Sequence, residues 1–495
     1  MLNFELAKMQ SILNNRFLLP FLSSIWIIMV GWHEFSLFDS NLGIYWKEGQ
    51  LLIRSGSEVL PALFSNDISL GHWMGSLFIF IFESEFSLNL LQFLAIASTV
   101  TICTAIQFRC YKKNGNQFYV FLLTLISIPL LLNNYAISHH FLLPVLALIM
   151  IYCNLKIKKF ATQLVLISLI QIIWVNWHES SFLGIIMVMA LAGFSSKPMS
   201  QKLLLITTAL VTALCTPFHV GVFRNYLDWC STMINNHQLP DVISNHGSMV
   251  NWLAYFHICI AVISIILVIY NLINYRKNGG LNLVYICLSV VGVLHIELSG
   301  LNAIVLLLVG IEVCANFQQK TSKLWTSYKS PILMIALSIP LLFSTSVLFP
   351  FSSNWKLGID SPSDNCLSFL QRKRILNSPA FHNTGMGSII AFADYKKMNP
   401  LCSPHPNYNG KQFTVSTLIP CYEDFSSWIK VKNDLLPNLI VFRLKGASET
   451  SLDFLDGRLK DGEWTMVYFD PLEAAILIRN LSENNELIGS LRVTE

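Results

Sequence analysis

Residues 160–182 read FATQLVLISLIQIIWVNWHESSF. From Phe160 to Trp177 the stretch carries no Asp, Glu, Lys or Arg, and a helix of that length rises about 27 Å, close to the ~30 Å hydrocarbon core of a bilayer. The run ends in Trp177-His178-Glu179, and a new apolar run begins at Phe182. The same tripeptide closes the first apolar run, VGWHEFSLFD at residues 30–39. A greasy segment with an imidazole and a carboxylate at its mouth therefore occurs twice, and reading both as membrane spans decides the fold.

Composition agrees with that reading. Of 495 residues 53% are hydrophobic and 13% charged, with a mean hydropathy of +0.53, which excludes a soluble enzyme of ordinary composition. The expected fold is an all-α polytopic transmembrane domain followed by a small α/β extracytoplasmic domain. About eleven spans are expected, at 17–33, 86–108, 117–133, 138–154, 160–176, 180–195, 203–217, 250–273, 281–296, 299–316 and 331–350. A shorter run at 73–82 reads as re-entrant or interfacial. No small-residue cleavage site follows the first run, so it reads as a retained anchor rather than a signal peptide.

The net charge of +4 carries little information, but the placement of cations does. Taken in span order, one set of loops and ends holds Lys8, Arg16, Arg109, Lys112, Lys113, Lys156, Lys158, Lys159, Lys197, Lys202, Arg276, Lys277, Lys320, Lys323 and Lys329, and the opposite set before residue 350 holds only Lys47, Arg54 and Arg224. The bias predicts a cytoplasmic N-terminus and an external segment after residue 350. On that topology all 12 histidines fall on the outer side or near an outer helix end. So do the acids Glu34, Asp39, Glu48, Glu179 and Glu297. Ionisable groups at helix ends face a cavity or a partner, although outer loops depleted of Lys and Arg hold His and acids by default.

Two outer regions are long, 34–85 and 218–249. In the first, LGIYWKEGQLLIRSG sets Leu42, Tyr45, Trp46, Gly49, Leu52 and Ile53 on one helical face and Lys47, Glu48, Gln50 and Arg54 elsewhere. This is either an amphipathic helix lying in the membrane interface or a loop helix packed on protein. Beyond residue 350, the apolar runs SIIAFA, NLIVFRL, WTMVYF and AAILIR alternate with polar stretches and read as buried strands. Asn383-Thr-Gly-Met-Gly387 reads as a turn. Cys366, Cys402 and Cys421 stand where a disulfide can form, and one of the three must stay unpaired.

Several stretches carry a family resemblance. Asp39-Ser-Asn-Leu-Gly-Ile-Tyr-Trp-Lys-Glu-Gly-Gln-Leu-Leu-Ile-Arg-Ser-Gly56 is similar to the first outer loop of bacterial polytopic proteins of the GT-C glycosyltransferase type. Ile173-Trp-Val-Asn-Trp-His-Glu-Ser-Ser-Phe-Leu-Gly184 is similar to their L-W-A-N-x-H-G-x-F-x-x-G, and Cys215-Thr-Pro-Phe-His219 to their N-P-Y-G. Trp464–Asp470 and Ala474–Arg479 resemble the group's W-x-x-V-Y-x-D and following strand. Asn41 stands where the group's second acid is, and Glu179 where it has glycine.

The resemblance implies a sugar moved from a polyprenyl-phosphate carrier to a glycan, lipid or protein acceptor outside the membrane. It assigns Asp39 as catalytic base, although an Asp before a helix also serves as an N-cap. Arg224, His219 and Arg54 are the candidates for the carrier phosphate. His178, Glu179, Asn176, His72, His33 and Glu34 are those for substrate or acceptor, with a divalent cation as an optional cofactor. HEFSL and HESSF are not HExxH, which rejects a zinc protease. Membrane lipid is an expected partner and nucleic acid is not. A transporter or lipid-carrier flippase is the competing class, disfavoured by charge gathered at one face rather than at mid-span. A membrane scaffold is a third.

Overall fold

The computed structural model describes residues 17–31, 34–36, 46, 48–50, 52–53, 73–82, 88–112, 117–133, 141–217, 222–223, 226, 248–275, 279–294, 299–320, 358–360, 366, 369–370, 380–383, 386–387, 390, 419–444, 447, 449–471 and 474–491. In chain order these include α1 (Leu18–Gly31), β1 (Glu34–Ser36), α2 (Trp73–Ile81), α3 (Leu88–Lys112), α4 (Gln117–Asn133), α5 (Leu142–Lys156) and α6 (Phe160–Trp177). Then come α7 (Phe182–Gly193), α8 (Met199–Thr212), α9 (Ser248–Tyr275), α10 (Gly279–Leu294), α11 (Ser299–Lys320), β2 (Gly358–Asp360) and β3 (Ala380–His382). The chain closes with α12 (Ile419–Glu423), α13 (Phe425–Leu435), β4 (Leu439–Arg443), α14 (Glu449–Lys460), β5 (Trp464–Phe469), β6 (Ala474–Arg479) and α15 (Asn485–Leu491). The chain is mostly helical, with a small sheet near its C-terminus.

Residues 1–34, 89–222 and 252–358 form one compact unit, and 35–88, 223–251 and 359–495 form another. In the first, α11 is the central post: every residue from 300 to 311 is buried, as expected of a helix apolar on all sides. It packs against α4, α10 and α5, while α7 packs against α8, α10 and α5. Within α3 and α6, Asn89–Arg109 and Phe160–Trp177 are long and apolar enough to cross a membrane.

The helices match the expected spans closely in place but not always in length. α7 has 12 residues and α8 has 14, about 18 and 21 Å of rise, short of ~30 Å. The expected span 180–195 loses its start to a separate 3-10 turn at Glu179–Ser181. α8 begins just after Pro198, whose fixed φ suits a helix start, and ends at Thr212, where the chain turns through Leu214 N–H to Val211 O and Cys215 N–H to Thr212 O. The expected span 331–350 lies outside the described residues.

Lysines close one end of the α6–α7 pair. Lys197 Nζ donates to Gln163 Oε1 at 2.7 Å, and Lys202 Nζ donates to Gly193 O at 2.9 Å, satisfying a C-terminal carbonyl with a cation. The Trp-His-Glu corner is at the other end, about 22 Å along α6 from Gln163.

In the second unit the helical residues Trp46 and Glu48 pack on α2. Trp46 lies 5.8 Å from Phe80 between ring centroids, and Trp46, Glu48, Gly49 and Gln50 are buried while Ile53 is exposed. The face assignment read from the sequence is thereby corrected: Glu48 turns inward because Ser76 Oγ donates to its Oε2 at 2.8 Å. Gly49 is needed there, since a Cβ would sit 2.3 Å from Ser76 O.

The tail sheet has the order β3-β4-β6-β5, with β3 parallel to β4 and the other pairs antiparallel. β4, β5 and β6 fall on three of the expected runs. The fourth, SIIAFA, lies outside the described residues except for Ile390, which is helical rather than extended, and a strand lies upstream at Ala380–His382. Met386 N–H bonds to Asn383 O at 3.1 Å, and Met386 and Gly387 are helical. The core beneath the sheet is aromatic, joining Phe381, Trp428, Phe442, Phe454 and Trp464. Cys366 and Cys421 are separate buried thiols; Cys402 lies outside the described residues. A short second sheet pairs β1 with β2.

Candidate functional site

The corner between α6 and α7 is built by its own polar side chains. His178 leaves the helix with φ −159° and ψ 144°, while its N–H still bonds to Trp174 O at 2.9 Å. Its Nδ1 accepts the Ser180 backbone N–H at 2.9 Å, capping the 3-10 turn that opens the next helix. The Ser180 hydroxyl lies 2.9 Å from the same nitrogen and accepts from Trp174 Nε1 at 3.2 Å. A backbone amide only donates, so Nδ1 is unprotonated and the neutral imidazole carries its proton on Nε2.

Glu179 follows at the first position of the helical run, 3% exposed, where the unsatisfied N-terminal amides favour a negative charge. Ser180 and Ser181 are fully buried. Gln171 Nε2 donates to Ser181 O at 3.0 Å. Close packing here requires Gly184, because a Cβ would stand 2.2 Å from Gln171 Oε1 and 3.3 Å from the Trp174 ring.

Asn176 extends the corner sideways. Its Nδ2 donates to Ile172 O and to Cys215 O, both at 2.8 Å, tying the end of α6 to the turn after α8. Two stretches singled out separately in the sequence, Asn176-Trp-His-Glu179 and Cys215-Thr-Pro217, are thus neighbours. Thr216 beside them is 5% exposed, and its buried Oγ1 has no hydrogen-bond partner; an unpaired hydroxyl in such a place is a candidate ligand contact.

Of the residues nominated from sequence, Asn176, His178 and Glu179 are brought together here. Glu34 opens β1. Asp39, Arg54, His72, His219, Arg224 and His33 lie outside the described residues, as do His295 and Glu297. Among the described residues no three His, Cys, Asp or Glu side chains gather as metal ligands.

Two polar groups escaped the sequence reading. Glu312 stands inside α11, and Asn271 Nδ2 donates to its Oε2 at 3.3 Å; the signal was an acid in an apolar run, GIEVC at 310–314. In the tail, His382, Asn383 and Arg443 are buried at the carboxyl ends of the parallel strands β3 and β4. Asn383 clamps Arg443 through its backbone, with Nδ2 donating to the carbonyl and Oδ1 accepting the amide, both at 3.0 Å. Burial pushes His382 down to about 4, partly offset by its hydrogen bond to Asn383 O.

No protein-family model matches the chain, and no curated protein is detectably similar to it.

Proposed function

We propose that the chain is an integral membrane glycosyltransferase of GT-C type, moving a sugar from a polyprenyl-phosphate carrier to a glycan, lipid or protein acceptor at the outer face of a bacterial inner membrane. The observation that carries this reading is the Asn176–Cys215 hydrogen bond, which joins two of the motif stretches on which the resemblance rests. The pairing of β1 with β2 supports a polytopic chain whose first run and tail emerge on one side. The clustering of residues 35–88, 223–251 and 359–495 into one unit supports the same topology, since the cation bias sends all three outside.

In this reading Asp39 takes the acceptor proton, and Arg224, His219 and Arg54 hold the carrier phosphate. His178 donates from Nε2 to a substrate oxygen, Asn176 positions the corner, and Glu179, His72, His33 and Glu34 bind substrate or acceptor. Hydrogen-bond donors aimed at a departing phosphate stabilise the charge that develops on it. The test is transfer of a labelled sugar from synthetic polyprenyl phosphate to envelope acceptors in membranes holding the wild type or Asp39→Asn. Loss of transfer in a variant that still inserts is expected; an unchanged rate removes Asp39 from the base role.

Glu312, which accepts from Asn271 inside the bundle, favours the alternative of a transporter or lipid-carrier flippase, because acids within apolar helices mark pathways. Movement of a lipid-linked sugar across proteoliposomes without covalent transfer would replace the enzyme by that alternative.

A further inference from the structure

Two turns at one end of the bundle bring cations together. Lys156 closes α5, Lys158 and Lys159 lie between α5 and α6, Lys197 lies between α7 and α8, and Lys202 stands near the start of α8. The turns are far apart in sequence but joined in space: Gln163 Oε1 accepts from Lys197 Nζ at 2.7 Å, while Gln163 Nε2 donates to Asn154 O at 3.4 Å. Lys197 Nζ also lies 5.7 Å from the Phe160 ring centroid, and Lys202 Nζ donates to Gly193 O at 2.9 Å.

No carboxylate of the same stretch balances these cations. From 141 to 217, described without a break, the one acid is Glu179, at the opposite end of α6. Lys156, Lys158 and Lys159 are exposed, and among the described residues they meet no carboxylate at ion-pair distance. The patch is also partly apolar: Phe194 and Met199, on either side of Lys197, are each 68% exposed. An ammonium gains from a phosphate oxygen, and an exposed aromatic ring or thioether gains from hydrocarbon. A free phosphate answers only the first, whereas a lipid with an anionic headgroup answers both.

We infer that this end of the bundle docks on anionic phospholipid, with the lysines on headgroup phosphates and Phe194 and Met199 among the upper acyl chains. The inference rests on the membrane placement proposed above, not on the transferase activity. Clustered cations beside a membrane helix select anionic headgroups over zwitterionic ones, and long lysine stems let the charge reach the headgroups while their carbons stay against apolar neighbours.

The full chain, purified in mild detergent and held in about 0.15 M ammonium acetate, is examined by native mass spectrometry with phosphatidylglycerol or phosphatidylethanolamine added. It is compared with the double variant Lys158→Gln and Lys159→Gln, with Met199→Ser, and with Lys430→Gln and Lys460→Gln, which remove the same charge from exposed positions in the tail. Wild type is expected to retain phosphatidylglycerol in preference to phosphatidylethanolamine, and inorganic phosphate is expected not to displace it. The Lys158 and Lys159 variant should retain about tenfold less phosphatidylglycerol and Met199→Ser about threefold less, while the tail variant should match wild type. Equal retention of the two lipids by wild type, undiminished retention by either patch variant, an equal loss in the tail variant, or displacement by inorganic phosphate overturns the assignment. Release of the chain from membranes by alkaline carbonate would instead overturn the membrane placement, so the two failures are distinguishable.

Discussion

At the corner of α6 and α7 the proposed function gives one imidazole two separable jobs. Nδ1 of His178 caps the next turn through Ser180 N–H, and Nε2 carries the proton. An asparagine can supply the capping oxygen without the distal N–H, whereas a glutamine places its polar end too far out to cap. His178→Asn should therefore keep the fold while losing transfer, and His178→Gln should lose about 1 kcal/mol of stability as well. Thermal melts in detergent beside a transfer assay would separate the two; full activity in the asparagine variant would leave His178 with a capping role only. The sequence showed that His178 ends an apolar run, but the division of labour between its nitrogens was illegible, because it depends on which backbone amide the turn presents.

At the scale of elements, the α6–α7 contact rests on Gly184. The next atom along a Cβ direction is Gln171 Oε1 at 2.2 Å, and Gln171 is itself held by Ser181 O, so it cannot simply swing away. Gly184→Ala should destabilise the bundle by about 1–3 kcal/mol, read as a lower unfolding temperature, while Gly193→Ala, where a Cβ meets nothing within 4 Å, should be close to neutral. Equal effects would mean that the contact is looser than it stands. Helix positions were largely legible, since period and length survive in the residues themselves. The inward turn of Glu48 was not, because its partner Ser76 lies 28 residues away. At Ile390, the described residue of SIIAFA, the helix stands where a strand was expected for a related reason: a short apolar run fits a buried helix as well as a strand, and only pairing with β4 singles out Ala380–His382.

The tail also responds to acid as an element. His382 sits at about 4 in the folded chain because burial disfavours the cation, against ~6.5 when free. Between those values the unfolded state binds more protons, so stability is complete above about pH 6.5 and falls on acidification, by at most about 3 kcal/mol. Asp424 caps α13 through the Ser426 and Ser427 hydroxyls and amides, which hold it down to about 2. Its contribution is present above its ordinary range and goes only as pH falls through about 2. Two windows are expected in an acid titration of tail fluorescence, and His382→Gln should remove the upper one; a single transition unchanged by that variant would count against the buried neutral imidazole.

At the scale of the whole molecule, the argument turns on which groups lie at which end. The proposed topology puts residues 194–199 inside; Lys197 and Lys202 close one end of the α6–α7 pair through Gln163 and Gly193, while the imidazole and buried carboxylate occupy the other. The pairing of β1 with β2 requires residues 34–36 and 358–360 to share a side, which an even number of crossings between them satisfies. Both constraints are met if the chain starts inside and its tail ends outside. A cysteine at the exposed position Asp453, on α14, should then react with a membrane-impermeant maleimide on intact spheroplasts, and one at exposed Ser196 only after permeabilisation. Labelling of Ser196→Cys from outside would invert the topology and move the Trp-His-Glu corner to the cytoplasmic face, where nucleotide sugars rather than lipid-linked ones are the available donors.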